Sequence, residues 1–328
     1  MKSRQYMNLD FKNYLLQITN ASDCEEIEII QSLWSGYGRI SRYRLIGSSV
    51  KTVVVKFISL NLSGAHPKGW DTDYAHKRKV KSYKIETHWY ERWSKRCTPS
   101  CRVPEFLGSI SEKYDQWIIL EDLNTNYPLR KHLPCMAEIK ACLAWLANFH
   151  ANFLHCEPEG LWPIGTYWHL ATRPDEFEKI EHVELKAKAQ MIDDLLNNCK
   201  YNTIVHGDAK LANFCFSEEG RKIAAVDFQY VGGGCGIKDV AYFIGSCLSS
   251  YDCETYQDEL LDFYFTALLK AFQSSGSDID FKALKDEWTT LYPVACADFT
   301  RFLLGWMPAH QKINKYNLDM MHTVLSNI

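Results

Sequence analysis

Residues 203–227 constrain the fold most. Three short β-like runs, Thr203-Ile204-Val205, Phe214-Cys215-Phe216 and Ile223-Ala224-Ala225-Val226, interrupt an otherwise helical stretch and flank polar residues. The first run continues into His206-Gly207-Asp208-Ala209-Lys210-Leu211-Ala212-Asn213, and the third ends at Asp227-Phe228-Gln229. Asp208 and Asn213, five apart on a tight loop, can project into one site from opposite ends of that loop. Asp227, at the end of a short strand, can close the site from the facing side. Phosphoryl transfer needs such a set: a carboxylate to orient the attacking hydroxyl and take its proton, and oxygen ligands to hold Mg²⁺ against phosphates. The plain alternative is a loop between strands whose Asp and Asn cap turns.

The sequence on either side divides the chain in two. Towards the N-terminus, residues 25–30 alternate in part and residues 51–58 form a β-branched run. Between them lie the loop Trp34-Ser35-Gly36-Tyr37-Gly38 and a turn signal at Gly47-Ser48-Ser49. Residues 60–75 have Gly, Pro, Asp and Ser but no periodicity and predict a mobile surface loop. A charged helix over 75–95 follows, then the breakers Pro99 and Pro104 and two strands over 105–111 and 116–121. Beyond Asp122 helical spacing dominates, over 136–154, 175–198, 238–248, 256–273 and much of 281–328. The expectation is an α+β chain: a small β-rich part over 1–123 and a larger helical part over 124–328. No internal repeat or low-complexity tract occurs.

Charge and composition exclude several classes. The 328 residues carry 37 Lys+Arg against 40 Asp+Glu, a net charge of −3, which argues against binding nucleic acid through bulk charge. No apolar run reaches the ~18 residues of a membrane span, and the opening Met-Lys-Ser-Arg-Gln-Tyr leads into no signal-like apolar stretch, so a cytoplasmic protein is expected. The twelve cysteines, at 24, 97, 101, 135, 142, 156, 199, 215, 235, 247, 253 and 296, form no Cys-x-x-Cys pair and read as free thiols.

The segment around Asp208 and Asp227 resembles the catalytic loop and metal-binding segment of the kinase-like small-molecule phosphotransferases: the aminoglycoside phosphotransferases, choline/ethanolamine kinases and ecdysteroid-kinase-like proteins. Other landmarks follow in the same order. Lys56 stands on a valine-rich strand, Glu86 within a helix, Glu121-Asp122-Leu123 after a strand where the family has its hinge, and Leu146-Ala147-Asn148-Phe149-His150 on the helix before the catalytic loop. The resemblance implies a bilobal protein-kinase-like fold with ATP in the cleft, and an ATP- and Mg²⁺-dependent kinase phosphorylating a hydroxyl of a small molecule that is choline-like, aminoglycoside-like or steroid-like. It implies Asp208 as the catalytic base, Lys210 near the transferred phosphate, and Asn213 and Asp227 as Mg²⁺ ligands. It implies Lys56, held by Glu86, on the α- and β-phosphates, Gly36 and Gly38 covering phosphates, and the backbone of Glu121 and Leu123 at adenine.

Each landmark has a plainer counterpart. Lys56 alone is a strand-end lysine, Glu91 rivals Glu86, and Gly36 and Gly38 equally suit an ordinary hairpin turn. Lys210 is equally a solvated loop lysine. His206 and Gly207 read as scaffolding for the loop, and Asp239 as a helix cap. Gly232-Gly233-Gly234-Cys235-Gly236 reads as a flexible or tight connection replacing the long activation segment of protein kinases, which favours a small acceptor. Trp288, Tyr292, Phe299, Phe302 and Trp306 form either a cage for a quaternary ammonium or ordinary core. Residues 60–79, with the cationic His76-Lys77-Arg78-Lys79, are expected to act as a lid over bound nucleotide. The competing functions are a nucleotide-binding pseudokinase and a protein kinase.

Overall fold

The computed structural model describes residues 9–33, 36–60 and 73–328. The lid expected over 60–79 falls largely on residues 61–72, outside the described residues, as do Trp34 and Ser35. The chain divides into two compact units, Met1–Arg96 with Pro104–Thr125, and Cys97–Val103 with Asn126–Ile328.

The first unit opens with a helix absent from the sequence expectation, α1 (Leu9–Thr19). Its Phe11, Leu15 and Thr19 are buried at four-residue intervals, one stripe of a short amphipathic helix. An antiparallel five-stranded sheet follows: β1 (Asp23–Ser32), β2 (Gly38–Ile46), β3 (Thr52–Ser59), β4 (Phe106–Glu112) and β5 (Asp115–Glu121), in the order β1-β2-β3-β5-β4. Strand alternation sorts the side chains of β3. Val53 and Val55 join Tyr43, Leu45, Trp117 and Ile119 in the core under α1, where Phe11 stacks on Trp117 at 5.4 Å. Each such side chain contributes about 1.5–3 kcal/mol by leaving water. Lys56 has the opposite parity and meets the other helix of the unit, α2 (Asp73–His88). The helix expected over 75–95 is α-helical only to His88; it widens into a π-turn at Trp89–Trp93, closed by the Ser94 N–H on the Trp89 carbonyl.

The second unit is helical: α3 (Met136–Asn152), α4 (Pro174–Glu178), α5 (Val183–Asn197), α6 (Ile237–Cys247), α7 (Ser250–Ser275), α8 (Phe281–Trp306) and α9 (Lys315–Asn327). Cys97–Val103 belongs here because the Arg102 carbonyl accepts from the Trp145 indole (2.9 Å) and the Ala225 N–H (3.0 Å). The expected helix over 175–198 is interrupted at 179–182, where the His182 imidazole caps α5 by accepting from the Leu185 N–H. The helical C-terminus likewise breaks over 307–314, between α8 and α9.

Two short hairpin-like pairs complete the unit. β6 (Thr203–Val205) pairs with β9 (Gly232–Gly234), and β7 (Phe214–Phe216) with β8 (Ile223–Ala225), both antiparallel. Gly232–Gly234 is therefore a strand, in place of the expected flexible or tight connection. Its composition follows from crowding on both sides. Beyond the β6 pairing, the Gly233 N–H donates to the Trp162 carbonyl and the Gly233 carbonyl accepts from Gly165, and a Cβ on Gly232 would penetrate the Trp162 carbonyl. All twelve cysteines are unbridged. Among the described residues no helix is long and apolar enough to cross a membrane.

Candidate active site

The loop between β6 and β7 gathers the residues that the sequence singled out. The Lys210 N–H donates to the Asp208 carbonyl (2.8 Å) and the Asn213 N–H to the Lys210 carbonyl (2.9 Å), winding residues 208–213 into a tight turn. Side chains then converge on Asp208. Its Oδ2 accepts from Lys210 Nζ (2.9 Å) and Asn213 Nδ2 (3.1 Å), while its Oδ1 accepts from the Tyr242 hydroxyl (3.2 Å). Asp208 as a residue is only 7% exposed.

Asp239, in the first turn of α6, holds this loop in place. Its side chain accepts from the backbone N–H groups of His206 (2.6 Å) and Gly207 (3.0 Å) and bonds His150 Nε2 (3.2 Å). The expected role as a helix cap is thus corrected: no side chain caps α6, and the carboxylate satisfies donors of the preceding loop instead. Gly207 has φ 78°, and a Cβ there would drive into the Tyr230 carbonyl, so no other residue fits without moving the loop. His206 reaches across it, with Nε2 on the Val226 carbonyl (3.0 Å) and Nδ1 accepting from the Asp208 N–H (3.3 Å). The imidazole therefore links the Asp208 backbone to the strand end that carries Asp227.

Charge at the site is set by burial and by the two carboxylates. Burial alone would lower the Lys210 pKa, but Asp208 and Asp227 outweigh it and hold the ammonium above the ordinary lysine value. Burial, followed by the charge on Asp208, pushes Tyr242 well above the usual phenol range, so it stays a donor to Asp208. Tyr167 lies next to it, 3.3 Å between hydroxyls, and is raised for the same two reasons.

The donor set suits a hard cation. Asn213 and Asp227 share one end of the β7–β8 pair, since the Val226 N–H donates to the Asn213 carbonyl (3.0 Å). Both Nδ2 bonds of Asn213 go to Asp208, at its carbonyl and Oδ2, which turns the amide oxygen away as a neutral ligand. Asp227 adopts φ 69°, a conformation Asp tolerates better than most residues, and its Oδ1 accepts from Gln229 Nε2 (2.6 Å). Among the described residues no group of three or more His, Cys, Asp or Glu is placed to hold an ion. One carboxylate and one amide oxygen match the way Mg²⁺ binds with the help of phosphates and water.

In the first unit, Lys56 Nζ lies 2.6 Å from Glu86 Oε2, and both residues are almost fully buried. Glu91, the rival, instead accepts from the Ser109 hydroxyl (2.7 Å). Lys56→Met leaves the buried Glu86 without this partner and is expected to destabilise the protein by about 3–5 kcal/mol. Denaturant titration checks this, with Lys56→Met/Glu86→Leu recovering much of the loss. Gly36 and Gly38 both adopt positive φ, and the Tyr37 hydroxyl between them bonds His76 Nδ1 of α2 (2.6 Å). Glu121 ends β5, where its Oε2 accepts from the Glu105 N–H, and Leu123 follows in a single 3₁₀ turn.

The aromatic residues of the C-terminal third do not form one cluster. Trp288 and Tyr292 are core, the Trp288 indole donating to the Tyr201 carbonyl. Phe299 and Phe302 pack instead with Trp168 and Tyr242, with Tyr167 and Trp306 at the edge of that cluster. The sequence reading did not single out Tyr242, Tyr167 or Lys312. For Tyr242 a signal existed: it follows Asp239 by three residues and so shares its helix face. Tyr167 and Lys312 carry no local signal, because only the tertiary fold brings them near Asp208.

The ecdysteroid kinase-like family profile matches residues 166–277, the stretch that holds Asp208, Asn213, Asp227 and Asp239. Among curated proteins none matches the chain in sequence. An amicoumacin kinase solved with AMP-PNP and Ca²⁺ is similar at 13% identity and a TM-score of 0.51, covering 98% of this chain and 93% of its own. An aminoglycoside-3'-phosphotransferase of type VIII is similar at 15% identity and a TM-score of 0.46, with 86% and 100% covered. Over residues 166–277 this chain is similar to the ecdysteroid kinase-like family, and its fold is similar to that of the amicoumacin kinase.

Proposed function

We propose that the protein is an ATP-dependent kinase that transfers the γ-phosphate to a hydroxyl of a small molecule. The observation that carries this reading is the convergence of Lys210, Asn213 and Tyr242 on the single carboxylate of Asp208, beside Asp227. Asp208 would orient the acceptor hydroxyl and receive its proton as the O–P bond forms. Tyr242 and Asn213 hold the carboxylate in one rotamer, which removes the entropy of positioning it. Lys210 would face the oxygens of the transferred group, where its raised pKa keeps it charged. Asn213 and Asp227 are the proposed Mg²⁺ ligands, and the ion would neutralise phosphate charge as the bond to the leaving oxygen lengthens. In the first unit, Lys56 is assigned to the α- and β-phosphates, Gly36 and Gly38 to backbone phosphate contacts, and the Glu121 and Leu123 backbone to adenine. The short path from Asp227 to α6, with β9 inside it, supports a small acceptor over a protein substrate. Twelve unbridged cysteines suit a reducing cytoplasm.

Thermal shift tests the nucleotide half of the reading. The parent is expected to gain stability with Mg-ATP, and Asp227→Ala to lose the part of that gain that depends on Mg²⁺. An unchanged Mg²⁺-dependent shift in Asp227→Ala would remove Asp227 from the metal site. ADP release across a panel of alcohols tests the transfer half, and ATP binding without release from any of them would favour a silent nucleotide-binding module.

A further inference from the structure

Beside Asp208 stands a cation that the phosphotransferase reading leaves without a task. Lys312 lies on the break between α8 and α9, and its Nζ sits 4.8 Å from the centroid of the Tyr242 ring and 5.5 Å from that of Phe299. Tyr242 is the residue whose hydroxyl donates to Asp208, so the ammonium stands one ring away from the proposed base. Ring faces lie against it, Cys247, Asp208, Lys210 and Cys253 are near enough to act on its charge, and among the described residues no carboxylate pairs with it. Burial pulls its pKa down to about 8, with Asp208 acting in the opposite direction and Lys210 adding to the fall. A second cation covers the far end of the same aromatic cluster: the Arg173 guanidinium lies 5.1 Å from the Phe302 ring and 5.7 Å from that of Tyr167. Unlike Lys312, Arg173 is ion-paired, to Glu176 at 3.0 Å.

We infer that Lys312 is a specificity-determining residue of the acceptor side: its ammonium occupies the aromatic faces of Tyr242 and Phe299 and thereby bars alcohols that carry a positive charge near the hydroxyl. An aromatic wall next to an alcohol-phosphorylating carboxylate would otherwise attract such acceptors, because ring faces bind quaternary ammonium groups. Here the chain supplies its own cation to those faces. A cationic acceptor must displace a tethered ammonium and then lie close to its charge, whereas an uncharged or anionic acceptor meets no such repulsion. Discrimination built from a repulsive element of this kind is as effective as an added attraction. The wall is called the acceptor side only on the strength of the phosphotransferase reading; the blocking of the ring faces stands on the geometry alone.

The test uses tetramethylammonium binding to the full chain, measured by calorimetry without nucleotide. Lys312→Met keeps the apolar stem and removes the charge, and is expected to bind the ion at least tenfold more tightly than the parent. Lys312→Arg, which restores a cation, is expected to return to parental affinity, and Lys312→Met/Tyr242→Leu to lose the gain. Circular dichroism melts of each variant establish that it is folded. Equal affinity in the parent and Lys312→Met, or binding to neither, overturns the inference, since the ring faces would then be either already open or closed for another reason. The measurement needs no turnover. A failed kinase reading therefore leaves its result intact, and a failed blocking role leaves the Mg-ATP and ADP-release results intact.

Discussion

Asp208→Asn is expected to lower acceptor-dependent ADP release by about 10²–10⁴-fold, the usual contribution of a positioned general base. The substitution keeps the shape of the side chain and removes its ability to take a proton. The amide oxygen can still accept from two of the three donors that converge on Asp208, Lys210, Asn213 and Tyr242, so the loop retains its frame. Stability should therefore change far less than turnover, and Mg-ATP should still raise the melting temperature, because the proposed metal ligands are Asn213 and Asp227. Steady-state ADP release on an accepted alcohol, read beside a melt of the same sample, separates the two effects. Turnover equal to that of the parent would remove Asp208 from the chemistry and with it the phosphotransferase assignment.

Asp239→Ala should give the opposite pattern: a large loss of stability, with activity falling because the loop comes apart. Asp239 is fully buried and satisfies the N–H groups of His206 and Gly207 as well as His150 Nε2. Its removal strands buried donors at a cost of about 1–3 kcal/mol each, so a total of about 3 kcal/mol or more is expected. Urea unfolding reads this as a lower midpoint at an unchanged slope. The loss should also reach α7, because His150 Nδ1 bonds the Tyr264 hydroxyl (2.8 Å) and a freed imidazole ring can turn. A midpoint within experimental error of the parent would mean that water takes the place of the carboxylate and that Asp239 is not the clamp of the loop.

What could be read from the sequence was local. The Asp208, Asn213 and Asp227 set lies within twenty residues, and its spacing alone places all three on one loop-and-hairpin segment. The β3, β4 and β5 strands, α3 and α7 follow from hydrophobic period, which depends only on neighbours along the chain. Lys56 and Glu86 were legible as candidates, but the choice between Glu86 and Glu91 was not: both lie on one charged segment, and the π-turn after His88 together with the Ser109 hydroxyl settles where Glu91 goes. The glycine run misled because glycine usually marks a turn. In Gly232–Gly234 it marks a strand squeezed between β6 and the backbone near Trp162, a crowding that no sequence window contains. Asp239 misled in the same way, since a carboxylate in the first turn of a helix is ordinarily its cap, and only the fold brings the His206 and Gly207 donors within its reach.

By itself, then, the sequence determined many of the elements and put a carboxylate and oxygen donors on one loop, at spacings that the proposed phosphoryl transfer would use. Only the tertiary structure decided which groups surround that carboxylate. Tyr242 reaches Asp208 across 34 positions, and Lys312 covers Tyr242 across 70 more. The physical reason is that periodicity reports which face of an element avoids water. It does not report which distant face it will meet, and the charge and shape of an acceptor site are set by that meeting.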